Sequence, residues 1–241
     1  MGKKEEMKID ITFNVYSDAN GGDPDSTSST LRLYHKILWS KPLPNGQWFE
    51  LDNKKSGTYL YHKSVLGEFY LGSDAIVHSY RNQKRKQWLI NQIPNQVKEL
   101  FDIGSTIGAY TIFPKNKIDN KFTINQARGV SSLIDDRFDL TLECIRLYYN
   151  GQHSPLYDTF LRYRNFFNLF DNFKGYIDFF LLNDLIEEEE KIRFYLPFDN
   201  FKTRPIFKDA DEYLVYKRNV TNFVNARNKR IENYVNHSTS E

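Results

Sequence analysis

Strand-like stretches come first along this chain and helix-like stretches second. That order predicts an α+β fold, a mostly antiparallel sheet from the N-terminal half packed against a helical layer from the C-terminal half. Three observations carry it. Two-residue alternation marks the first half, as in Ile9, Ile11, Phe13 and Val15. Helical spacing marks the second, as in Phe138, Leu142, Ile145 and Tyr149. No internal repeat, low-complexity linker or composition break divides the chain, so residues 1–241 read as one domain with frayed tails at 1–7 and 236–241.

The elements follow in order. Alternation predicts a first strand over 8–16, then a polar loop over 17–30. Ser28, Ser29 and Thr30 are cap residues for a helix over 31–39, in which His35 reads as a packing residue rather than a base. Residues 58–64 and 68–74 read as a hairpin around Leu66 and Gly67. An amphipathic helix opens near Arg81, carries Trp88, Leu89, Ile93, Val97, Leu100 and Phe101, and is interrupted by Pro94. Residues 106–114 and 121–125 read as a second hairpin.

The central element is a helix of about five turns from Ser131 or Ser132 to Gly151. Serine caps its start, Asp135 and Asp136 suit the positive end of its dipole, and glycine suits its end. Ser154 and Pro155 open the next helix, with Leu156, Phe160, Tyr163 and Phe167 on one seam. A helix over 176–186, a strand over 191–197 and a final helix over 211–235 complete the reading.

The balance of 33 basic against 31 acidic residues gives a net charge of +2, which excludes a strongly basic nucleic-acid coat but not a local patch. Aromatic residues make up 16%, so large rings build the core. The single cysteine, Cys144, reads as a small buried hydrophobe and can form no intrachain disulfide. The N-terminus lacks the apolar run of a signal peptide, and no run is long enough to span a membrane. A reducing, cytoplasmic setting is the expectation.

Two polar features are candidates for chemistry. One face of the central helix holds Asp136, Asp139, Glu143 and Arg146, which on a buried helix must meet a cleft, an ion or a partner. Asp139, Glu143 and Arg146 are therefore the catalytic candidates. The loop acids Asp18, Asp23 and Asp25 are the metal candidates, and carboxylates there could hold Mg²⁺. Their spacing fails the calcium-loop pattern, because Asp23 replaces its glycine and Ser29 its closing glutamate. Pro24-Asp25 with Asp52-Asn53-Lys54 matches a metal-nuclease pattern only over an elastic gap. Arg81, Lys84, Arg85 and Lys86, beside Trp88, form the best nucleic-acid feature and the substrate-binding candidates.

The segments FNVYSDANGGDPDSTSSTLRLYHKILWSKPLP (13–44), GEFYLGSDAIVHSY (67–80) and DRFDLTLECIRLYYNGQHSPL (136–156) resemble a bacterial protein family of unknown function, over most of the chain. The resemblance implies a bacterial, stand-alone protein and transfers no catalytic residue. Together these readings give a leading expectation, an enzyme or toxin-like effector on a phosphate-containing substrate such as a nucleotide or nucleic acid. The alternative is a non-catalytic module presenting an aromatic helical face to a protein partner.

Overall fold

In the computed structural model, residues 8–52, 60–205 and 207–238 are described. The fold is α+β, with antiparallel strands in the N-terminal half and a long helix closing the C-terminal half. In chain order the elements begin with α1 (Pro24–Thr27), α2 (Ser29–Trp39), β1 (Lys41–Pro42), β2 (Trp48–Phe49), β3 (Leu60–Ser64) and β4 (Gly67–Ala75). Next come α3 (Gln87–Ile90), α4 (Pro94–Ile103), β5 (Tyr110–Pro114), α5 (Ile124–Val130), α6 (Phe138–Tyr149) and α7 (Tyr157–Arg162). The chain closes with α8 (Arg164–Phe167), α9 (Phe173–Phe179) and α10 (Ala210–Ser238).

Local chemistry explains the boundaries. The Ser28 hydroxyl accepts from the Leu31 N–H at 3.0 Å and starts α2. Pro94 stands in the first turn of α4, where its missing N–H costs nothing. Thr123 and Gln126 form a reciprocal capping box that starts α5. Gly151 takes φ +66° just past α6, the left-handed turn that glycine adopts without strain.

The main sheet has the order β3-β4-β5, antiparallel throughout, with Leu60 opposite Leu71 and Gly72 opposite Phe113. β5 is buried along its whole length. Helix α10 grips the start of that strand. Arg227 Nη1 donates to the Gly108 and Tyr110 carbonyls, each at 2.9 Å, and Nη2 donates to the Phe180 carbonyl at 2.9 Å. Asn228 Oδ1 accepts from the Gly108 N–H at 2.7 Å. A Cβ on Gly108 would lie 2.5 Å from that oxygen, so only glycine permits the approach.

Rings fill the interior, as composition implies. Phe160, Phe166, Phe167, Phe170, Tyr176, Phe179 and Phe180 are all buried and meet edge-to-face or tilted. The aromatic seam of Phe160 and Phe167 thus faces the core. Cys144 is buried, and burial pushes its thiol up to about 12, so it is no nucleophile at neutral pH.

Several expected elements differ. Residues 8–16 alternate in burial but form turns, because the Asp10 carboxylate and the Asn14 side chain bond nearby backbone N–H groups in place of a partner strand. Residues 121–125 start helix α5, since the Thr123 cap wins over strand propensity. The central helix begins at Phe138, not Ser131, because Asp135 and Asp136 take φ +48° and +59°. Residues 191–197 make one isolated bridge, Ile186 with Ile192, rather than a strand. The proposed hairpin partner at 58–59, and Asn53-Lys54 of the nuclease-like pattern, lie outside the described residues.

Candidate active site

The polar stripe of α6 is engaged in ion pairs. Asp139 is fully buried, and its carboxylate accepts from Arg137 Nε at 3.1 Å, from Arg137 Nη2, and from the Tyr195 N–H at 2.8 Å. Glu143 is paired by both Nε and Nη2 of Arg146, at 2.7 and 2.8 Å. Asp139 and Glu143 therefore satisfy their charge within the protein, as buried carboxylates must. Where an open catalytic site was the expectation for Asp139, Glu143 and Arg146, the two carboxylates are engaged in these ion pairs.

The loop acids separate as well. Asp18 is spent on the start of α2: Oδ1 accepts from the Ser28 hydroxyl at 2.5 Å, and Oδ2 from the Ser29 hydroxyl at 3.1 Å and the Thr30 N–H at 2.8 Å. These bonds outweigh burial and hold its carboxyl below the usual range. Asp23 caps α1, accepting from the Asp25 N–H at 3.2 Å. Among the described residues, no group of three or more His, Cys, Asp or Glu side chains is placed to hold a metal ion. The three-acid Mg²⁺ arrangement is corrected accordingly.

The four basic candidates do not form one strip. Arg81 stacks its guanidinium 3.3 Å from the centre of the Phe101 ring. Arg85 pairs with Asp135. Lys86 is buried, with Nζ 4.4 Å from the Phe207 ring centre and 3.9 Å from Asp135 Oδ2. Lys84 is exposed. Arg81, Lys84 and Arg85 are thus exposed, and Lys86 alone of the four is buried.

Asp23 and Asp25 do meet a pocket, of about 370 Å³, between α1, β4, the end of β5 and the start of α5. Its polar lining includes Ser73 and Asp74 of β4, Lys115 and Lys117 past β5, and Asn125 of α5. The topology makes this inevitable. Pairing of β4 with β5 sets Ser73 opposite Ile112, and the backbone N–H of Lys115 donates to the Tyr70 carbonyl at 2.9 Å. Gly72 lets the Lys115 stem lie flat on the sheet, because a Cβ there would stand 2.5 Å from Lys115 Cδ. Lys115 Nζ then reaches 3.5 Å from Ser26 Oγ on α1.

Two carboxyls in this pocket are perturbed in the same direction. Burial pushes Asp25 up to about 7, the charges of Asp74 and Asp23 add to the rise, and Ser73 and Lys115 oppose it. Its Oδ1 is buried without a hydrogen-bond partner. Burial raises Asp74 to about 6, against the pull of the Arg128 guanidinium. Arg128 is itself buried and anchored: Nη1 donates to Asp74, Nε to Thr141 Oγ1 at 3.0 Å, and Nη2 to the Asp136 carbonyl at 3.3 Å. So one acid is fixed in an ion pair while its neighbour keeps one carboxyl oxygen without a hydrogen-bond partner. Two acids held in unequal environments can divide proton donation and charge stabilisation between them.

Sequence reading found Asp23 and Asp25 but missed Ser73, Asp74, Lys115 and Arg128. The available signal was a Gly-Ser-Asp run inside a strand otherwise rich in aromatic and aliphatic residues. The chain belongs to the family of unknown function DUF6994, whose model matches residues 9–231. Neither a curated protein nor a solved structure matches it.

Proposed function

Because that family membership carries no activity, we propose from the pocket itself that the protein is an acid–base enzyme acting on a small phosphorylated substrate. The observation that supports this is the pair Asp25 and Asp74, raised to about 7 and about 6, sharing one cavity with Lys115 and Lys117. A group near 7 holds and releases a proton at neutral pH, which is the condition for efficient general acid–base catalysis. Asp25, protonated below about pH 7, gives its proton to the leaving oxygen as the phosphorus–oxygen bond breaks; water supplies the incoming oxygen, and the proton it releases returns to the Asp25 carboxylate. Asp74 stays anionic through its bond with Arg128, and its charge helps to keep the proton on Asp25 up to neutral pH. Lys115 and Lys117 neutralise the substrate phosphate, as ammonium groups do as point charges. A cavity of this size suits a sugar phosphate or a nucleotide rather than a polymer.

The test is turnover of a panel of sugar phosphates and nucleotides by the wild-type chain and by Asp25→Asn. The amide keeps the shape and removes the proton. Loss of a general acid lowers kcat about 10²–10⁴-fold. The wild-type rate should also fall on the alkaline side with a midpoint near 7, and that limb should vanish in the variant. Equal rates in both proteins would remove Asp25 from the chemistry.

A further inference from the structure

Ser73, which lines the same pocket, has its Oγ 2.9 Å from Nε2 of the buried His35. A serine beside a histidine invites reading as a nucleophile and its base. The third member of this chain reverses that reading. The Trp39 indole Nε1–H donates to His35 Nδ1 at 3.0 Å. An indole nitrogen can only donate, so Nδ1 must be the bare, accepting nitrogen. In a nucleophilic triad the third residue accepts from the Nδ1–H and leaves Nε2 free to take the serine proton. Here the proton sits on Nε2 and points at Ser73, whose oxygen accepts it.

We propose that Ser73 is a positioning residue, a fixed hydrogen-bond donor to Asp25, and that Trp39 and His35 set its direction. This rests on the acid–base reading above. The Ser73 oxygen is occupied by the His35 N–H, so its own proton is left to donate. Asp25 lines the same pocket, and a hydrogen bond from the Ser73 side chain pulls its carboxyl down against burial. The remaining Ser73 proton and the Asp25 carboxyl therefore satisfy each other, where either alone would carry a desolvation cost. The protonation state supports the direction. His35 is fully buried, and burial with the Arg227 charge drives it down to about 3, so it stays neutral across the physiological range. α2 sets the geometry, because His35 and Trp39 lie four residues apart on one helix face. The chain of donors thus runs one way, from indole to imidazole to hydroxyl to carboxyl, and Ser73 cannot be activated for attack.

The experiment is NMR of the folded, full-length chain. With ¹⁵N-labelled histidine, His35 is expected as the Nε2–H tautomer, with no titration between pH 5 and pH 9. An Nδ1–H tautomer, or a titration inside that interval, would overturn the proposal. The second arm reads the Asp25 carboxyl carbon. Ser73→Ala removes a donor to the charged form and should raise its midpoint by roughly one pH unit. Ser73→Thr, which keeps the hydroxyl, should restore it. An unchanged midpoint in a folded Ser73→Ala protein would also overturn it. Treatment with a fluorophosphonate completes the test, with no adduct at Ser73 expected and an adduct there contradicting the donor role. None of these readouts depends on turnover, so they fail separately from the Asp25→Asn assay.

Discussion

Arg128 donates to the Asp74 carboxylate inside the core, and the same guanidinium holds Thr141 of α6 and the backbone of Asp136. The pair therefore links the floor of the pocket to the start of the central helix. It also explains that start. Asp136 is held at positive φ with its carbonyl turned to Arg128, so the helix cannot extend back to Ser131.

Removing one partner of such a buried pair strands the other. Arg128→Leu should destabilise the protein by about 3–5 kcal/mol in urea unfolding at neutral pH. The double variant Arg128→Leu with Asp74→Asn should recover part of that loss, because no bare charge remains. A double variant no more stable than the single would show that the carboxylate is not what the arginine serves.

Lys41 offers a sign test far from the chemistry. Its Nζ lies 5.2, 4.7 and 4.6 Å from the ring centres of Trp39, Phe179 and Tyr234. Burial, then the Arg227 charge, lowers it to about 7, with Asp178 opposing. A depressed lysine means that the unfolded chain takes its proton near 10.5 while the folded chain waits until about 7. Stability is therefore lost as pH falls across that interval. Lys41→Met should raise stability by roughly 1–3 kcal/mol at pH 7, with a gap that closes toward pH 10.5. Equal stability of the two proteins at pH 7 would contradict the shift.

The sequence made some of this legible for a physical reason. Caps and helix breakers act locally, so α2, Pro94 and the end of α6 at Gly151 were readable from neighbours alone. The hairpin of β3 and β4 followed from alternation around Gly67. Partners distant in sequence were not readable. Arg128 and Asp74 are 54 positions apart, and nothing in either stretch announces the other. The stripe on α6 was seen correctly as polar. Its pairing with Arg137 and the Tyr195 backbone needed the tertiary fold. The loop acids were likewise visible, but which of them was already spent on a cap and which faced a cavity depended on where β4 lay.

The central claim is that Asp25 keeps its proton up to neutral pH in a pocket it shares with a second acid. The direct measurement is a ¹³C titration of the aspartate carboxyls in the wild-type chain, with the Asp25 signal assigned by its loss in Asp25→Asn. The account predicts a midpoint near 7 for that signal, with burial and the Asp74 charge as its causes. A midpoint near the ordinary 3.8 would contradict it and leave the pocket without its proton donor.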